Sequence, residues 1–137
     1  MDNHTLWIAS DLGGISILDL NRYQHPYTEK LSFQRITKEN SGLSSNNTRR
    51  IIQDSFGNVW IGNFSSGIDF IPQSTSDFHT LGDLQQPLTN TFGIFCDRQG
   101  YLWIGQDDFI CQYKNGQVTH RWDFSQYLFN TSAMVYN

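Results

Sequence analysis

The chain has 137 residues and a formal net charge of -4, and its nine Lys and Arg are scattered without a basic stripe, so nothing on it is suited to neutralising phosphates and no nucleic-acid partner is expected. Hydrophobic residues make up 38% of it, with 10 Phe, 6 Tyr and 4 Trp, enough large side chains to pack a core and too many for a disordered segment. No run approaches the roughly 18 to 20 apolar residues of a membrane span, so this segment is not expected to contact a membrane.

A strand motif, Leu6 to Ala9 (LWIA), begins close behind Met1, so the sequence reads as a piece cut from a longer protein. A turn at Asp11 to Gly14 and a second apolar run, Ile15 to Leu18, complete a hairpin. A loop over Asn21 to Lys30 leads to a third strand around Phe33 to Thr37, and the polar stretch Lys38 to Asn47 follows. The next unit is complete: NTRRIIQD (Asn47 to Asp54), a turn, VWIG, a turn at Asn63 to Gly67, IDFI (Ile68 to Ile71), a loop led by Pro72, and FHTL (Phe78 to Leu81). Four strands in so short a stretch make an antiparallel meander. The scheme repeats as NTFGIFCD (Asn90 to Asp97), LWIG, a shortened turn at Gln106 to Asp108, FICQY (Phe109 to Tyr113), an Asn115-Gly116 hairpin turn, and QVTHRW (Gln117 to Trp122). NTSAMVYN (Asn130 to Asn137) then matches the opening of both complete units.

The most exact repetition is DSFGNVWIG (Asp54 to Gly62) against DRQGYLWIG (Asp97 to Gly105), and Trp7, Trp60 and Trp103 mark one phase at spacings of 53 and 43 residues. A period of roughly 40 to 50 residues carried by short strands is the signature of a blade array. The expected fold is therefore all-β: a β-propeller segment of about three four-stranded antiparallel blades, with strands labelled A to D, that starts at a B strand and ends at an A strand. Residues 1–37 supply strands B to D of a partial blade, 47–81 and 90–122 are complete blades, and 130–137 is strand A of a further or closing blade. Three blades are fewer than a propeller normally closes with, so the segment is expected to belong to a larger propeller or to form a homo-oligomer, for example two chains in one six-bladed ring.

The recurring residues have structural readings. In Val59-Trp60-Ile61 and Leu102-Trp103-Ile104 both strand faces are apolar, which requires cover on both sides, so Trp7, Trp60 and Trp103 read as wedges between blades. Asp54 and Asp97 read as turn residues whose carboxylates accept backbone N–H groups, with Gly57 and Gly100 taking the positive φ that closes each hairpin. Gly62 and Gly105 mark a close backbone approach or a bulge. Cys96 and Cys111 read as buried thiols, since strands A and C of one blade lie about 9 to 10 Å apart, beyond disulfide reach.

No catalytic constellation and no cofactor motif occurs, and His4, His25, His79 and His120 lack metal-ligand spacing. In a meander the B-to-C turns and D-to-A loops emerge on one face, which would carry Asp11, Asn63, Phe64, Asp107 and Asp108 beside the loops around Ser44 to Asn47 and Gln85 to Asn90. Carbohydrate recognition uses aromatic faces and planar polar side chains. The candidate ligand-binding residues are Arg49, Asn63, Phe64, Asp107 and Asp108, against the plainer reading that each is a solvated turn residue.

These residues resemble the two-component regulator propeller repeat, whose pattern runs roughly N-x-V-x-x-I-x-x-D-x-x-G-x-L-W-I-G-T-x-x-G-G-L. Asn47 to Ile68 follows it with Gly42-Leu43-Ser44 ahead, Asn90 to Gly105 matches again, and Leu6 to Ile15 matches the latter half. The chain departs from the pattern at Ala9, at Ser66 and in the short turn after Gly105. The resemblance implies the periplasmic sensor region of a hybrid two-component histidine kinase of Bacteroides type, non-enzymatic in this segment, with an oligosaccharide as ligand. Two other classes stand beside it: a scaffold whose faces dock protein, including another copy of itself, and a polysaccharide-active propeller enzyme. The adjacent Asp107 and Asp108 serve the enzyme poorly, because both belong to one turn.

Overall fold

The computed structural model describes residues 4–23, 28–81 and 90–126. The described residues form three antiparallel sheets and, besides strands, only a 3-10 turn at Leu20–Arg22. The first sheet has the order β1 (Thr5–Ser10), β2 (Gly14–Asp19), β3 (Gln34–Ile36). The second is β4 (Thr48–Gln53), β5 (Val59–Asn63), β6 (Ile68–Ile71), β7 (His79–Thr80). The third is β8 (Gly93–Cys96), β9 (Leu102–Gly105), β10 (Phe109–Lys114), β11 (Gln117–Asp123). Each is a meander of sequential neighbours, so the all-β, blade-like architecture expected from the repeat is the one observed. The expected strand over Asn130 to Asn137 lies outside the described residues.

The turn chemistry explains the hairpins. Asn115 and Gly116 both take positive φ, 52° and 84°, the type I′ geometry that Asn-Gly favours. Gly57 (φ 86°) and Gly100 (φ 79°) do the same at the A-to-B turns. Gly14 (φ 68°) is doubly constrained, because a Cβ there would collide with the Ile36 carbonyl oxygen on the neighbouring strand. The strand β7 is shorter than the expected FHTL, although Phe78 packs into the layer between the first two sheets, Leu81 into the layer between the last two, and Leu81 N still donates to the Ile68 carbonyl at 2.9 Å.

The core is accordingly two layers between three sheets. In the first layer Trp7, Ile15, Ile17 and Ile36 meet Val59, Ile61 and Ile71, with Leu43 from the preceding loop filling the rim. In the second, Trp60 and Ile68, with Ile52 and Phe70, meet Ile94, Leu102, Ile104, Phe109 and Cys111. The tryptophan face of one sheet thus covers the Val/Leu-x-Ile face of the next, which is why the central strand of a repeat is apolar on both sides. Gly62 belongs to the same junction: a Cβ there would lie 3.0 Å from the Thr91 methyl, so its small size admits strand A of the following sheet.

Cys111 is 2% exposed, and its burial, the leading cause, raises its pKa to about 11, so at neutral pH it is a small apolar side chain. Cys96 is only partly buried, a correction to the reading of both thiols as core residues, because its strand lies at the edge of the third sheet. Both thiols are free.

Candidate functional site

The repeated nonapeptide is a single hydrogen-bonded clasp. The Asp54 carboxylate accepts the backbone N–H groups of Phe56 and Asn58, both at 2.9 Å, and the Trp60 indole N–H at 2.9 Å. Asp97 accepts Gln99 and Tyr101 N–H and the Trp103 indole, again all at 2.9 Å. The carboxylate therefore closes the turn and also satisfies the one polar atom of the wedge, a need that burial of Trp imposes. Burial alone would raise the Asp97 carboxyl, but the Trp103 indole, the two backbone amides and the charge of Lys114 outweigh it and hold the group below the usual aspartate value. With both carboxylate oxygens engaged in each clasp, Asp54 and Asp97 act in structure.

A second set of hydrogen bonds ties the sheets together beneath the loop face. The Thr48 hydroxyl accepts from Ser10 N at 3.0 Å and donates toward the Gly14 carbonyl at 2.7 Å, while Thr91 donates to the Gly67 carbonyl at 3.2 Å. Both threonines follow an asparagine at the head of strand A. The fully buried Asp69 carboxylate accepts from Ser44 N and Oγ, from Asn63 Nδ2 (each 2.9 Å) and from Thr80 Oγ1 (3.0 Å), which anchors the D-to-A loop to the second sheet.

On this base the B-to-C turns and the heads of the A strands meet. The Arg49 guanidinium lies 5.1 Å from the Phe64 ring centroid and 3.8 Å from the Asp11 carboxylate of the first turn. Phe64 in turn meets Phe92 edge to face at 6.3 Å. Ser65 donates to Asn90 (3.0 Å), whose amide donates to Asp107 at 2.7 Å. One surface thus runs Asp11, Arg49, Phe64, Phe92 along one line and Ser65, Asn90, Asp107 along another. Its chemistry is an aromatic pair with one cation above it and amide and carboxylate groups at its edge.

Of the five residues nominated by sequence, the structure brings Arg49 and Phe64 into contact and places Asp107 on the same surface by way of Asn90. Asp108 is exposed in the next position, with its carbonyl taken by Phe124 N at 2.6 Å. Asn63 is withdrawn from this face: it is fully buried, its amide NH2 donates to Asp69 and Ser44, and its Oδ1 is buried without a hydrogen-bond partner among the described residues. The reason is strand parity, since Asn63 lies two residues after Ile61 and so shares its side of the strand, the one facing the first sheet. Phe92 escaped nomination, although it occupies the repeat position of Arg49, directly after Asn-Thr. Among the described residues no group of three or more His, Cys, Asp or Glu could hold a metal ion.

Residues 42–65 match the family model for the two component regulator propeller. A structure described as the extracellular domain of hybrid two component system BT4673 from B. thetaiotaomicron superposes with a TM-score of 0.76 at 26% identity over 93% of this chain. A second structure of BT4673, there described as a one component system, gives 0.75 at 26% identity over 90%. The extracellular domain of BT3049 from the same organism, at 22% identity and TM-score 0.67 over 95%, shares the fold. In each case the chain spans 17% of the matched structure. No curated protein matches the chain.

Proposed function

We propose that this chain is a segment of the periplasmic sensor region of a hybrid two-component system and that its loop face contributes, without catalysis, to recognising an oligosaccharide. The observation that carries the reading is the likeness over 93% of the chain to an extracellular domain of such a system. The chemistry of the loop face supports it. A sugar ring offers apolar C–H faces and pairs of hydroxyls, the first suited to the Phe64 and Phe92 rings and the second to Arg49, Asn90 and Asp107. Asp107 is held by the Asn90 amide at 2.7 Å, which suits a hydrogen-bonding edge better than one of the two opposed carboxyl groups that glycoside cleavage uses.

The test is binding of the full chain to a glycan array, with Phe64→Ala/Asp107→Ala beside it. Binding by the parent that disappears in the double variant, at unchanged circular dichroism, is the expected result. Turnover of a polysaccharide, or binding indifferent to both substitutions, would overturn the reading.

A further inference from the structure

The row of side chains on the loop face is built by one rule at both internal junctions. In the second sheet the register steps from Thr48 opposite Asn63 to Arg50 opposite Gly62, so Arg49 is the extra residue of a β-bulge. Phe92 holds the same place in the third sheet, since its N–H donates to the Gly105 carbonyl while Gly93 is the residue opposite Gly105. A bulge re-aims the side chain it carries. Arg49 accordingly reaches Asp11 in the B-to-C turn of the preceding sheet, and Phe92 reaches Phe64 in the next such turn. Asp11 and Phe64 occupy one repeat position, two residues after Ala9 and Gly62. Each junction therefore pairs a turn residue with the bulge residue of the following sheet, ionic at the first and aromatic at the second.

The ionic pair is the one with room for a ligand. Its atoms, Arg49 Nη2 and Asp11 Oδ2, lie 3.8 Å apart, too far for a direct hydrogen bond, and the two side chains are 44% and 60% exposed, so the pair itself adds little stability. A hydroxyl oxygen about 2.8 Å from each atom spans that gap, accepting from Arg49 and donating to Asp11. A carboxylate or sulfate ester has no proton for Asp11 and would meet its charge, and Asp107 and Asp108 add two more acids to the same face. Resting on the reading of the loop face as sugar-binding, we propose that Asp11 and Arg49 form a hydroxyl-binding subsite beside the Phe64/Phe92 aromatic one, and that the ligand is a neutral oligosaccharide with no uronic or sulfated units.

Binding of the full chain to neutral, uronate-bearing and sulfated glycans, followed by titration of a bound glycan, tests this. The expected result is selection of neutral glycans, with affinity that falls at least about tenfold in Asp11→Ala and in Arg49→Ala, as loss of a hydrogen bond to a charged group predicts. Affinity for a neutral ligand is also expected to change little between low and high salt. The two side chains are exposed and weakly paired, so both variants are expected to keep the circular dichroism of the parent. Selection of uronate-bearing or sulfated glycans overturns the neutral class while the sugar-binding reading stands. Binding that Asp11→Ala leaves unchanged but Phe64→Ala/Asp107→Ala abolishes overturns the subsite, again with that reading intact. Binding to none of the three sets overturns both.

Discussion

The second and third sheets carry the same clasp in different surroundings. The hydrogen bonds of Asp54 to Trp60 and of Asp97 to Trp103 have the same length, 2.9 Å, yet Trp60 is 7% exposed whereas Trp103 is only half-buried. Trp60 stacks on Phe70 at 4.7 Å, meets Tyr113 edge-on at 5.9 Å and lies in the layer against the third sheet. Trp103 is covered by Trp122 of its own sheet. The hydrogen bonds are therefore a local property of nine residues, and burial is a property of the neighbour. A repeat of this kind specifies its blade alone but completes its core only in company.

The largest expected effect exploits that difference. Trp60→Ala removes the wedge between two sheets and should cost about 3 to 5 kcal/mol. Trp103→Ala empties a half-open face and should cost about 1 to 2 kcal/mol in a monomeric chain, because less of its surface leaves water on folding. Urea unfolding of the two variants at high dilution makes the comparison. Equal losses would mean that Trp103 is covered in the isolated chain and would break the contrast.

The architecture was legible in sequence because its signals are local and repeated. The Asp-x-x-Gly turn, the Asn-Gly hairpin and the two-sided apolar strand each dictate geometry within a few residues, and their recurrence fixes the phase of every strand. The loop face was legible only in part. Whether Asn63 points outward or inward depends on where the strand ends and the turn begins, a matter of one residue that flips the side chain to the other face. Phe92 looked like any strand aromatic until the preceding sheet supplied Phe64 as its partner. Asp69 gave a signal that went unused: a lone acid inside the apolar strand IDFI needs buried donors, and Ser44, Asn63 and Thr80 provide them.

Next in size is the clasp itself, where the two sheets should behave alike. Asp54→Asn and Asp97→Asn each put an amide N–H where the indole N–H needs an acceptor, or else turn away from the backbone donors. Each should cost about 1.5 to 3 kcal/mol, the range for hydrogen bonds to a charged group. The pH dependence has a definite sign for Asp97. Its carboxyl sits below the usual value in the folded chain, so its contribution is fully present above the ordinary aspartate pKa of 3.8 and is lost as pH falls through the lower folded value. The Asp97→Asn chain should therefore lose less stability on acidification than the parent. An identical acid transition in both would show that the clasp carries no charge-dependent stability.

The smallest effect isolates the polar seam between sheets, which should be insensitive to how well the tryptophans are covered. Thr48→Val removes the hydroxyl that meets the Ser10 N–H and the Gly14 carbonyl at the first junction, and Thr91→Val removes the hydroxyl that donates to the Gly67 carbonyl and accepts from the buried Gln106 amide at the second. Valine keeps the branched shape, so packing is nearly conserved and the loss is that of the hydroxyl, about 1 to 2 kcal/mol in each case. Because Thr48 and Thr91 both lie at internal junctions, the two losses should agree within experimental scatter, unlike those at Trp60 and Trp103. A Thr48 loss several times the Thr91 loss in urea unfolding would mean that the first junction relies on its seam where the second relies on its core. The three-stranded first sheet, held by β1 at an open edge, is where such an imbalance would arise.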